Sequence, residues 1–194
     1  MLARMVMRRL LGVGGSEGGP GGDGRGASPR EPETETVRRI IRELEQLDVD
    51  QRRYLAGFAY ILARAAHSDL QITTMETVAM EQTVRDIGQL PEAQAVLVVE
   101  IAKHQSELYG GTEDYLVTRE FASRSSSEQR KAVVEACFAV VAADREITAD
   151  EYAELTQIAD ELGLTREELN VIRRDYRDHL AAIQIMRGER PATS

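Results

Sequence analysis

The chain has 194 residues, with 24 basic and 33 acidic side chains and a formal net charge of −9, the length of one domain or two small ones. Phosphate backbones demand stripes of Lys and Arg, so the acidic balance excludes nucleic acid as the main partner. A single cysteine, Cys137, excludes an intramolecular disulfide framework and an all-cysteine zinc site, and no apolar run approaches the ~20 residues that span a bilayer.

Residues 1–30 carry Arg4, Arg8, Arg9, Arg25 and Arg30 against Glu17 and Asp23. In the segment MLARMVMRRLL, Leu2, Met5, Val6, Leu10 and Leu11 alternate with arginines at near-helical spacing. This reads either as a basic amphipathic contact for an anionic membrane surface or partner groove, or as a frayed tail. Met5 and Met7 are equally good initiators, and a secretory signal would need a longer apolar stretch. Residues 12–26 hold nine of the fifteen glycines, a composition that reads as a flexible linker. The chain therefore divides into a disordered basic tail and linker over 1–30, a helical domain over 31–188 and a disordered tail over 189–194.

Within that domain, Val37, Ile40, Ile41 and Leu44 follow one helix face. Asp48 with Gln51 starts a second helix by the capping-box pattern, buried along Leu55, Phe58, Leu62 and Ala65. Pro91 suits the first turn of a helix through Val96, Leu97, Val99 and Ile101, closed by Gly110-Gly111. Further helices are expected near 113–123, 127–143, 149–162 and 166–186. Alternating strands are absent, which predicts an all-α bundle of about eight helices.

A shift of 75 residues aligns Asp69–Glu76 with Asp144–Glu151 under the shared pattern D-x-x-I-T-x-x-E. Met80, Gln82, Ile87 and Gly88 fall on Leu155, Gln157, Leu162 and Gly163, while Phe58, Leu62 and Ala65 fall on Val133, Cys137 and Val140. Each copy reads as a helix, a tight turn and a second helix closed by glycine, so the bundle is expected to hold two pseudo-symmetric helix-turn-helix repeats. Capping alone accounts for the motif. Thr73 and Thr148 stand as N-caps with Glu76 and Glu151 three residues on, Ile72 and Ile147 sit at the staple position, and Asp69 and Asp144 bridge turn backbone. A second reading makes Asp69, Glu76, Asp144 and Glu151 hard oxygen ligands for Mg²⁺, Ca²⁺ or Mn²⁺, with Glu146, Asp150 and Glu154 adding negative potential. An EF-hand loop starting at Asp144 fails, because Ala149 and Leu155 occupy the Gly and Glu positions.

These residues resemble the tellurite-resistance TerB-like family. The likeness is carried by the paired turns, by YLAGFAYILARAAHSD, by LYGGTEDYLVTREF over 108–121 and by AADREITADEYAELTQIADELGLT. It covers roughly residues 33–186 and implies an all-helical domain in bacterial responses to tellurite and other chemical stress. It also implies an acidic metal-associated site, falling here on Asp69, Glu76, Asp144 and Glu151, and association with membrane-linked complexes. Leu70 and Arg145 follow the aspartates where the family's turns usually carry glycine, which leaves these turns less open.

His67, His104 and His179 share no metal-ligand spacing, and Cys137 lies on an apolar stripe as a small core residue. Gly110-Gly111 with Tyr109, Thr112 and Tyr115 reads as a helix connection or the edge of a pocket. No catalytic motif is recognisable. The expectation is a cytoplasmic, non-enzymatic module that binds protein partners, with peripheral membrane contact through residues 1–11 and a divalent cation at the acidic turns. The alternatives are a metal-dependent hydrolase built on paired carboxylates and a purely structural interaction domain.

Overall fold

The computed structural model describes residues 42–66, 74–105, 112–144 and 146–188. The tail and linker calls, Asp69, His67 and Gly110-Gly111 lie outside them. After a helical stretch at 42–45, the described chain forms α1 (Val49–Ala65), α2 (Thr74–Gly88), α3 (Glu92–Gln105), α4 (Thr112–Arg124), α5 (Ser127–Val141), α6 (Ala149–Glu161), α7 (Arg166–Asp175) and α8 (Ala181–Met186), with 3₁₀ turns at Ala142–Asp144 and Arg177–His179. The only pairing outside helices among the described residues is an isolated bridge between Ile147 and Leu180. An all-α bundle is what the periodicity predicts, and most helix ends fall within two residues of expectation.

α1 is the axis of the bundle. Asp48 caps it, its carboxylate accepting the N–H groups of Asp50 and Gln51 at 2.9 Å each. The stripe Leu55, Phe58, Leu62, Ala65 describes only one face. All residues from Leu55 to Ala59 and from Ile61 to Ala65 are buried, and α1 packs against α3, α4, α5 and α6. The small residues between the large ones make this possible. A Cβ on Gly57 would lie 2.4 Å from Phe121 Cδ2 of α4, so glycine lets that ring lie flush on α1. Tyr54 stacks on Phe121 with centroids 5.5 Å apart. Around this axis α2 packs on α3 and α5, and α5 packs on α6 and α7, one core containing Phe58, Val98, Val133, Phe138, Leu155 and Ile158.

Two expectations are corrected. The glycine at 88 does not close its helix. Gly88 is still helical and Gln89 takes the left-handed conformation (φ 50°), whereas a Cβ on Gly88 would come within 3.0 Å of Phe58 Cε1. Gly163 (φ 75°) does terminate α6, with Leu164 N–H donating to the Ala159 carbonyl, the Schellman arrangement. The helix expected over 166–186 is also broken in two. Leu180 is extended (φ −70°, ψ 120°), because Ile147 N–H donates to the His179 carbonyl at 2.6 Å and Ala181 N–H donates to the Ile147 carbonyl at 3.0 Å. A continuous helix would turn both of those 179–181 backbone groups inward and lose the bridge. Among the described residues no helix is long and apolar enough to cross a membrane.

Candidate functional site

The second acidic turn is held on two sides. Ile147 is 1% exposed and bridged to the 179–181 backbone. One residue on, Thr148 caps α6 in a full capping box. Glu151 N–H donates to Thr148 Oγ1 at 3.2 Å, while Thr148 N–H and Oγ1–H both donate to Glu151 Oε2 at 2.8 Å. The spacing predicts this reciprocal pair, and the positive end of the α6 dipole favours its carboxylate. Asp150, beside it in the first turn, is exposed, and Glu146 is half-buried with contacts of its own.

Of the four carboxylates expected as cation ligands, Glu151 is the one whose side chain the structure places. Glu76 lies in the first turn of α2 and Asp144 ends the 3₁₀ turn after α5, their side chains outside the described set; Asp69 is outside it altogether. Among the described residues no three His, Cys, Asp or Glu side chains come together as a metal site. Glu151 already satisfies its helix cap.

A buried ionic cluster lies one turn further along α6. Arg64, near the end of α1, is 5% exposed. Its Nε donates to Glu154 Oε1 at 2.5 Å, Nη1 and Nη2 grip the two oxygens of Glu161 at 2.6 and 3.2 Å, and Nη1 also reaches Thr118 Oγ1 of α4 at 3.2 Å. Glu154 and Glu161 are seven residues apart, two turns on one face of α6. Burial opposes the charge on Arg64, yet its hydrogen bonds to Glu161 and Glu154 outweigh that cost and raise its pKa. Burial likewise works against the Glu161 carboxylate, and the hydrogen bonds from Arg64 and Gln157 override it, holding the group below the ordinary carboxylate range. Each of the three guanidinium nitrogens meets an acceptor, and such pairing is the condition under which a buried ion pair is tolerated. One guanidinium thus joins α1, α4 and α6.

Cys137 is fully buried, its Sγ 3.9 Å from the Ile61 carbonyl, and burial pushes the thiol up to about 12. It is a core residue, as its stripe implies, and not a nucleophile. His179 contributes its backbone carbonyl to the Ile147 bridge.

Sequence reading singled out Glu154 only as an acidic neighbour and missed Arg64, Thr118 and Glu161. The available signal was a lone arginine inside the apolar run ILARAA, together with two glutamates at heptad spacing. Against known proteins, the family described as "Tellurite resistance protein TerB" matches residues 55–174, more than half of the chain and the span that contains both the ionic cluster and the pinned turn. No curated protein and no solved structure matches the chain.

Proposed function

The chain belongs to the TerB family, and from that premise we propose that it is a non-enzymatic module of the tellurite and chemical-stress response that acts by binding a protein partner through its second acidic turn. The observation that carries this reading is the mounting of that turn. Ile147 is buried and bridged, Thr148 and Glu151 are locked in the capping box, and Asp150 stands exposed on the rim. A rigid charged protrusion gives up little conformational entropy on binding, and acidic groups on a chain of net charge −9 steer towards a basic face.

The ionisable groups of the interior support the same reading. Arg64 of α1 engages Glu154 and Glu161 of α6 and Thr118 of α4, and the Cys137 thiol is protonated at neutral pH. These groups hold the bundle that carries the turn. In this reading the turn keeps its shape through its own hydrogen bonds, with no cation required.

The test is survival on tellurite of the host lacking this gene, complemented with the wild-type chain or with the Glu146→Gln/Asp150→Asn double variant at matched protein level. The wild type restores growth and the variant does not, while its melting temperature stays within a few degrees of wild type. Equal rescue by both would remove the turn from the function.

A further inference from the structure

A cleft of 210 Å³ opens where α1 begins, α4 ends and α5 starts; its walls include Asp50, Arg53, Tyr54, Glu120, Phe121 and Arg124. It shares no lining residue with the acidic turn, and Asp50, Arg53 and Tyr54 precede the region that the TerB family matches. We propose that this cleft is a binding site for a small organic carboxylate with an apolar body.

The charged groups of the cleft are unequally committed. Arg124 Nε holds Glu120 Oε1 at 2.6 Å, and Asp48 caps α1. Arg53 differs. Its side chain is only 28% exposed, its nearest carboxylate, Asp50, is 3.9 Å from Nη1, and among the described residues its buried Nε has no hydrogen-bond partner. A buried donor without an acceptor costs free energy, and the planar fork of a guanidinium matches the two oxygens of a carboxylate. Asp50 does not fill that role, since its side chain is 92% exposed and 3.9 Å is too long for a hydrogen bond.

The rest of the cleft limits the ligand. Tyr54, stacked on Phe121, supplies an aromatic floor for an apolar group. Glu120 is paired with Arg124, Asp48 accepts the first N–H groups of α1 and Asp50 is turned to solvent, which leaves Arg53 to take one carboxylate, while the second charge of a dianion would add to a lining that holds three carboxylates against two guanidinium groups. The volume falls below the 300–1,000 Å³ or so typical of drug-sized sites and suits a single ring or short branched chain.

The experiment is a titration of the full chain, followed through backbone amide NMR shifts, with benzoate, its uncharged isostere benzamide and the cation benzylamine. The proposal expects saturable shifts at Arg53, Tyr54 and Ser125 with benzoate and much weaker ones with the other two. Arg53→Gln weakens benzoate binding by about tenfold or more, and Arg53→Lys, which keeps the charge and loses the fork, falls between; both variants keep the wild-type spectrum elsewhere, which shows that they fold. Preference for benzylamine, benzoate binding indifferent to Arg53→Gln, or no saturable shift with benzoate would each overturn it.

Discussion

Replacing Arg64 by methionine keeps most of the apolar stem and removes the charge that Glu161 and Glu154 were built around. The two glutamates respond differently. Glu154, 36% exposed on its side chain, turns to water at little cost. Glu161 is 8% exposed and Thr118 is fully buried, so neither regains its lost hydrogen bond from solvent. Removing one member of a buried pair costs about 3–5 kcal/mol, and at roughly 2–4 °C per kcal/mol for a chain of this size the melting temperature falls by about 6–20 °C. Urea unfolding is the assay, with a lower midpoint at unchanged slope. The pH dependence provides the sign. In the wild type Glu161 lies below its ordinary value of 4.5, so its contribution is complete above that value and is lost as pH falls through the native one. In Arg64→Met the same carboxylate is buried without its cation and its pKa moves up; acidification from neutrality then relieves the penalty and stabilises the variant. A loss under about 1 kcal/mol, or a pH profile parallel to wild type, would refute the clamp.

Three further outcomes follow from the packing. Gly57→Ala places a methyl 2.4 Å from the Phe121 ring and costs about 1–3 kcal/mol in urea unfolding; a cost under half a kcal/mol would show that α4 is not seated on α1 as described. Thr148→Ala removes the N-cap of α6 for about 1 kcal/mol and speeds amide exchange at Glu151, whose N–H loses its acceptor; unchanged protection there would contradict the capping box. Cys137, with its thiol pushed up to about 12, reacts with a thiol reagent at mild alkaline pH only as fast as the chain unfolds, and rapid stoichiometric labelling of the folded protein would place it at the surface.

The parts of the fold governed by local chemistry were readable from the residues. Helix periodicity, the caps at Asp48 and Thr148, and the glycine after α6 all act within a few positions of themselves, and the structure places them as their spacing requires. What escaped depends on partners distant along the chain. Arg64 meets Glu154 and Glu161 across 90 and 97 residues, and its apolar neighbours hint at burial without naming the partners. The break at Leu180 is of the same kind, since its cause is the backbone of Ile147. The burial of Ala56, Ala59 and Ala63 also comes from distant partners, since four helices close on α1. For the acidic motif, local chemistry revealed the cap in the second copy, while convergence of Asp69, Glu76, Asp144 and Glu151 is a question of tertiary distance that spacing does not address.

The acidic turn is held by its own hydrogen bonds, and in the proposed function its carboxylates serve a partner rather than a cation. Thermal unfolding of the full chain in chelator, then in millimolar Mg²⁺, Ca²⁺ or Mn²⁺, beside the Asp69→Asn/Asp144→Asn double variant, tests it most directly. A cation bound at 100 times its dissociation constant would add about 2.7 kcal/mol, a rise of roughly 5–11 °C. The expected result is the same melting temperature in chelator and in each cation. A rise specific to one metal and abolished in the double variant would contradict it and make the paired turns a metal site.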